Sequence, residues 1–307
     1  MRKNYKISVC LPTHNRAVYL KKGLEAFSNL ERIETAEIVI ADDASTDETD
    51  RVVEEFKVAH PYLRIVYKKF SSRQYFDKIV LRLVEMASGD YCWLISDDDI
   101  PEKDTLVEIE KILRKHSRIS LLHMNYSRFD KSLNKKTADK MVGSIKKDIY
   151  FDSASKFFFK PIKDSYFSFL GTNVITMSTN IVDRQRWLAA AKRLKKFIGH
   201  NFIHCFVIGT MIKKDPEIYY IAKPQVQYLA NNHRLWPNDV WKDYNNVLLG
   251  YLVKIGYPKV RILEMQDSQR KYERREAVVK GKFSQLLYRL LQPLYSRLIL
   301  LKEDVRK

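Results

Sequence analysis

Through the first 130 residues, short runs of β-branched and aromatic residues alternate with segments of three-four apolar spacing. The runs are KISVCLP, AEIVIADD, LRIVYKKF, DYCWLIS and RISLLHMNY, and between them RAVYLKKGLEAFSNL and PEKDTLVEIEKILRKH carry helical spacing. This alternation predicts a doubly wound α/β sheet up to about Asp130, with ligands bound beyond the carboxyl ends of the strands. Polar clusters stand at three of those ends: PTHNR after the first strand, DDASTDET after the second, SDDD after the fourth.

The stretch FDKSLNKKTADKMVGSIKKD that follows reads as a surface excursion or a hairpin, and an aromatic region runs from Tyr150 to Trp187. No repeat or low-complexity linker divides the chain, so residues 131–236 are expected to pack on residues 1–130, and residues 237–307 to be largely helical. Near the end, Phe283, Leu286, Leu287, Leu290, Leu291, Leu294, Leu298 and Ile299 mark one apolar stripe, kinked or divided at Pro293. From Arg270 onward there are eleven Lys/Arg against four Asp/Glu. Such a tail docks on its own core or on a second copy as a homodimer contact, or it lies in an anionic membrane surface, where each basic residue is worth about 1 kcal/mol.

The chain has 307 residues, 45% of them hydrophobic, enough for a substantial core. Cys10, Cys92 and Cys205 lie in apolar runs without CxxC spacing, which speaks against a disulfide framework or zinc knuckle and for a reducing cytoplasm. The apolar positions before Pro12 are too few for a signal peptide, and no run approaches a membrane span. A formal net charge of +18 implies an anionic partner: nucleic acid, anionic lipid or phosphorylated small molecules.

Against that charge, Asp97, Asp98 and Asp99 stand together where a buried strand ends. Aspartates cap helices, and DDDIPEKDTL can be an N-cap with acidic residues favoured by the dipole. Three adjacent carboxylates also repel one another, and a hard divalent cation, Mg²⁺ or Mn²⁺, relieves that repulsion while completing its shell with phosphates. At the neighbouring strand end, Asp42 and Asp43 can accept hydrogen bonds from a nucleotide base or ribose, while Ser45 to Glu48 suit the cap of the next helix.

ISVCLPTHNRAVYLKKGLEAF, EIVIADDASTDET and SGDYCWLISDDDIPEKDTL, in that order, resemble the nucleotide-sugar-binding half of GT-A glycosyltransferases of family 2 over roughly the first 125 residues. QYFDKIVLRLVEMASGDYCWL and FIGHNFIHCFVIG are similar to abequosyltransferase-like bacterial enzymes that build O-antigen or capsular repeats. The resemblance implies a GT-A fold, a mixed sheet flanked by helices. It implies that Pro12, Thr13, Asn15 and Arg16 surround the base and diphosphate, that Asp42 or Asp43 reads the base, and that Asp77 and Lys78 lie in the donor site. It further implies that Asp98 binds Mn²⁺ or Mg²⁺, with Asp97 toward the ribose and Asp99 beside them. Ser96 stands where many relatives have the first aspartate, so the triplet reads either as Asp97-x-Asp99 or as centred on Asp98.

The implied reaction is inverting transfer from a nucleotide-diphosphate sugar to a saccharide acceptor, carried on polyprenyl diphosphate at the inner face of the membrane. Relatives often take the base from a Glu-Asp pair in the second half, but no carboxylate lies between Arg193 and Met211. His204 is the first candidate for that role, His200 the second and Asp164 the third; His233 and Arg234 are candidates to close over the diphosphate. Polyprenyl-phosphate glycosyl transfer and metal-dependent nucleotidyl transfer are the alternative enzymes. A nucleic-acid module is opposed by a cleft ringed with Asp and by the lack of a zinc-finger or RNP signature.

Overall fold

The computed structural model describes residues 6–130, 136–163, 167–229 and 240–279. In chain order its elements are β1 (Ile7–Thr13), α1 (Ala17–Ser28), β2 (Glu37–Asp42), α2 (Thr49–Ala59), β3 (Arg64–Lys69), α3 (Tyr75–Met86), β4 (Tyr91–Leu94), β5 (Ile100–Pro101) and α4 (Thr105–Lys115). There follow β6 (Leu121–Phe129), β7 (Lys136–Ala138), β8 (Ile149–Phe151), α5 (Ala154–Phe158), β9 (Asn180–Asp183), α6 (Arg184–Ala191), α7 (Ile203–Lys214), β10 (Ile218–Leu229), α8 (Val240–Asp243), α9 (Leu249–Lys254) and α10 (Lys259–Val279).

The described strands form one sheet in the order β3-β2-β1-β4-β9-β6-β10-β5, with β7 on β6 and β8 on β10. β1 to β4 pair in parallel, as the strand-helix alternation predicts. The sheet departs from a purely parallel plan at β9, which comes from the aromatic region and inserts antiparallel between β4 and β6, with Tyr91 opposite Asp183 and Leu121 opposite Val182. A four-residue strand set between a 3₁₀ turn and α6 gives too short an alternating pattern to read in sequence. Its consequence is a mixed sheet whose hydrogen bonds join residues 1–130 to residues 131–236.

Period-two alternation along each strand separates two cores. Ile7, Val9, Leu11, Ile38 and Ile40 face α1, α2 and α4, while Cys10, Val39, Ala41, Cys92 and Leu94 face α3 and the helices of the second half. On that second face Trp187, Phe157, Phe202 and Phe206 are fully buried. Truncating one of them, Phe206→Ala for example, costs about 3–5 kcal/mol through lost contact and residual cavity. All three cysteines are buried and free.

The charged stretch is partly the expected hairpin, since β6 pairs antiparallel with β7. It is also anchored: Met141, Val142 and Ile145 are buried, and the Asn125 side-chain oxygen accepts from the Val142 amide at 3.1 Å. Among the described residues no helix is long and apolar enough to cross a membrane. The apolar stripe from Phe283 to Ile299 lies outside the described residues.

Candidate active site

Parallel pairing brings three strand ends to one edge. Thr13 is registered with Asp42, the Asp43 amide donates to the Thr13 carbonyl at 2.9 Å, and the Ile95 amide donates to the Cys10 carbonyl at 3.0 Å. The turn after β1 is fastened to the turn after β2 by Asn15. Its amide donates to Ser45 Oγ at 2.9 Å and its side-chain oxygen accepts from the Thr46 amide at 2.7 Å. Asn15 holds φ 51, a left-handed conformation that asparagine tolerates better than most residues. Asp47 accepts from the Ala17 amide at 3.0 Å and the Thr49 amide at 3.2 Å, so one carboxylate caps both α1 and α2.

Arg16 lies across the acidic triplet. Its Nε donates to Asp97 Oδ1 at 2.8 Å and its Nη2 to Asp98 Oδ2 at 2.5 Å. Thr13 Oγ1 donates to the other Asp97 oxygen at 2.8 Å, and Ser96 Oγ to the other Asp98 oxygen at 2.5 Å. Asp99 accepts from the Ser178 hydroxyl at 2.5 Å and from the Leu229 amide at 3.1 Å, joining β9's approach and the end of β10 to the site. Burial pushes the Asp97 carboxyl up to about 7, with Arg16 pulling it down and Asp98 pushing it up. Burial and the Asp98 charge also raise Asp99 well above the usual carboxylate range. Three carboxylates thus share one guanidinium, and burial drives part of the cluster toward the protonated, neutral form.

A divalent ion fits this donor set in one way. Among the described residues no three His, Cys, Asp or Glu side chains form a metal cage, but Mg²⁺ and Mn²⁺ need only one or two carboxylates when phosphates complete the shell. Asp98 is the most exposed of the three, 8% against 3% for Asp97 and 2% for Asp99.

The other expected residues fall into two groups. Pro12 is half-buried in β1 opposite Ala41. Asp42 is fully buried: it accepts from the Ser45 amide at 2.8 Å and the Tyr67 hydroxyl at 2.8 Å, so it orders the turn and cannot itself touch a base. Asp43 accepts from the amides of Gln74 and Tyr75 and pairs with Arg73 Nε at 2.9 Å. Asp77, 3% exposed, departs from a donor-contacting role: it accepts from the amides of Gly199 (2.7 Å), Asn201 (3.0 Å) and Ile203 (3.2 Å), pinning the loop that carries His200. Lys78 is exposed one position further on.

His204 does not suit the base expected of it. It is 2% exposed, its Nε2 lies 3.2 Å from the Ile175 carbonyl, and burial lowers its pKa to about 4. A ring enclosed in this way has no route to a substrate hydroxyl. His200 is open instead, and its Nδ1 lies 3.2 Å from Asp243 Oδ1, the two side chains 33% and 29% exposed. His233, Arg234 and Asp164 lie outside the described residues. Sequence reasoning missed Arg73, Ser178 and Asp243. Arg73 is the basic residue just before a helical run, a signal within reach, whereas Ser178 and Asp243 meet their partners only through tertiary folding.

Together the mixed sheet, its helical layers and the carboxylates at its carboxyl edge define a GT-A glycosyltransferase. Residues 8–180, more than half of the chain, match glycosyl transferase family 2, and the protein belongs to that family. It is 28% identical over 243 residues to the abequosyltransferase RfbV of Salmonella typhimurium strain LT2, covering 74% of this chain and 67% of that one. It is 26% identical over 128 residues to the chondroitin synthase of Escherichia coli, covering 42% of this chain and 18% of the synthase. Among solved structures, S. aureus TarS 1–349 in complex with UDP-GlcNAc superposes with a TM-score of 0.62 at 14% identity, covering 95% of this chain and 79% of that one. The mannosyltransferase PcManGT from Pyrobaculum calidifontis, in complex with GDP-Man and Mn²⁺, gives 0.50 at 15%, covering 99% and 87%.

Proposed function

We propose that this enzyme transfers a sugar, with inversion, from a nucleotide-diphosphate donor to a saccharide acceptor carried on polyprenyl diphosphate, in the building of a bacterial surface polysaccharide. The observation that carries the reading is Arg16 bracketed by Asp97 and Asp98 at the edge where parallel strands end. That edge is where an open α/β sheet binds its ligand. The relatives' names support it: an abequosyltransferase, and structures described with UDP-GlcNAc and with GDP-Man and Mn²⁺.

In this reading Pro12, Thr13, Asn15 and Arg16 wall the nucleotide, and Asp43 with Arg73 frames its base. Asp97 faces the ribose, Asp98 with Asp99 beside it holds Mn²⁺ or Mg²⁺, and Lys78, His233 and Arg234 serve the diphosphate. Bound there, the ion would supply Lewis-acid neutralisation of the leaving diphosphate. His200 is the base: Asp243 accepts its Nδ1 proton, leaving Nε2 to take the proton of the acceptor hydroxyl as that oxygen bonds to the anomeric carbon and the diphosphate oxygen departs. The basic tail would hold the enzyme at the anionic cytoplasmic face of the membrane.

Thermal unfolding with a panel of nucleoside diphosphates, with and without Mn²⁺, tests the site. One nucleotide should stabilise the protein in a metal-dependent way, by about 2.7 kcal/mol at a hundredfold excess over its dissociation constant. A shift indifferent to both Mn²⁺ and Asp98→Ala would overturn the assignment.

A further inference from the structure

Two segments of the second half, 144–149 and 160–163, run side by side and are joined by the Lys163 amide donating to Ser144 Oγ at 2.9 Å. Between them lies a groove of about 570 Å³. Lys146, Lys147, Lys160 and Lys163 line it together with the apolar Ile145 and Ile149. Among the described residues none of these four lysines has a carboxylate partner. The nearby acids are engaged elsewhere: Asp148 accepts from the Tyr219 hydroxyl at 3.2 Å and the Ala222 amide at 2.9 Å, and Asp152 pairs with Lys156 at 2.8 Å. Four lysines lining one groove concentrate positive charge there, and a bound anion relieves it.

The groove is not the place of the donor diphosphate. Ile149 pairs with Tyr220 of β10, while the Leu229 amide, at the far end of the same strand, meets Asp99. Tyr220 and Leu229 lie nine positions apart on that one extended strand, roughly 30 Å at about 3.3 Å per residue. A second anion is therefore implied. The groove's volume falls in the range of about 300–1,000 Å³ typical of small-ligand sites, whereas a flat bilayer would touch its rims rather than fill it.

We infer that this groove holds the diphosphate of the acceptor's carrier lipid, the four lysines taking the phosphates and Ile145 and Ile149 the first carbons of the prenyl chain. The inference rests on the lipid-linked acceptor proposed above.

Hydrogen exchange of the full chain tests it, with inorganic diphosphate and a short-chain prenyl diphosphate as probes. Both should protect amides within 144–149 and 160–163, the prenyl compound at lower concentration. The pairs Lys146→Gln/Lys147→Gln and Lys160→Gln/Lys163→Gln should each weaken that binding by about tenfold, near 1.4 kcal/mol. An unchanged near-ultraviolet circular dichroism spectrum would show both variants folded. Donor stabilisation should persist in both lysine pairs and groove protection should persist in Arg16→Gln, so that failure of the groove and failure of the donor site are read separately. Protection confined to the strand-end loops, undiminished affinity in both lysine pairs, or equal potency of inorganic and prenyl diphosphate would each overturn the inference. So would vesicles of phosphatidylglycerol protecting the same amides as strongly.

Discussion

Arg16 Nε stands 2.8 Å from Asp97 Oδ1, with the side chains only 16% and 4% exposed, so the first strand's turn and the fourth strand's end are held by a nearly dry ion pair. Removing one partner leaves a buried charge uncompensated. Arg16→Gln should lower stability by about 3–5 kcal/mol, a range set by breaking rather than replacing buried pairs. Urea unfolding measures that loss, and the variant should also lose donor binding. A cost below about 1 kcal/mol would mean that the pair is effectively solvated.

The carboxylate edge was legible in sequence because each of its parts is local: an apolar run, then Asp42-Asp43 or Asp97-Asp98-Asp99 where a parallel strand must stop. What each carboxylate does was less legible. Asp42 and Asp77 read as ligand contacts, yet they spend their oxygens on Ser45 and Tyr67, and on three amides of the 199–203 loop. Hydrogen-bond partners more than a hundred residues away, as for Asp77, leave no periodicity behind. His204 misled for a related reason: an apolar helix with one histidine has the same sequence whether the ring faces a cleft or the core. β9 escaped because four residues carry too little alternation, although this strand joins β4 to β6 in the middle of the sheet.

Gly23 on α1 faces the same site from behind. A Cβ there would meet the Asp97 carbonyl oxygen at 2.9 Å. Alanine ordinarily gains about 1 kcal/mol over glycine inside a helix. Here the obstacle is backbone that cannot swing aside, and overpacking costs about 1–3 kcal/mol, so strain should win. Gly23→Ala is expected to lower the melting temperature and raise the donor KM together, because displacing Asp97 also displaces Arg16. A stabilised variant with an unchanged donor KM would show that α1 has room to move.

His204 gives the acid limb of stability. Its folded pKa of about 4 lies below its ordinary 6.5, so the unfolded chain takes the proton more readily. The neutral ring thus contributes stability that is complete above pH 6.5 and is lost as pH falls toward 4. His123, also lowered to about 4 by burial, acts in the same direction. Two such groups should cost wild type on the order of 3 kcal/mol each across that window. His204→Gln should remove one share of the slope in urea unfolding between pH 7 and pH 4, while keeping transferase activity at pH 7 within about threefold, less than 0.7 kcal/mol. Near-total loss of activity with an unaltered stability profile would restore His204 to catalysis.

His200 and Asp243 make the complementary case. Asp77 fixes the backbone on both sides of His200 through the Gly199 and Asn201 amides, and Asp243 meets the ring at Nδ1, so loop and ring are held by different elements. As the proposed base, His200 would contribute about 10²–10⁴-fold through proton transfer alone. His200→Gln should therefore lower kcat by that factor with little change in donor KM, since nothing in the donor site is touched. Asp243→Asn should lower kcat less, because the ring stays on its loop and loses only the carboxylate at Nδ1. Asp77→Asn, which leaves the ring chemistry intact but loosens the loop, should raise the acceptor KM more than it lowers kcat. If His200→Gln kept wild-type kcat across the pH range, the proton would have to leave by another group, and the pairing with Asp243 would be a surface contact only.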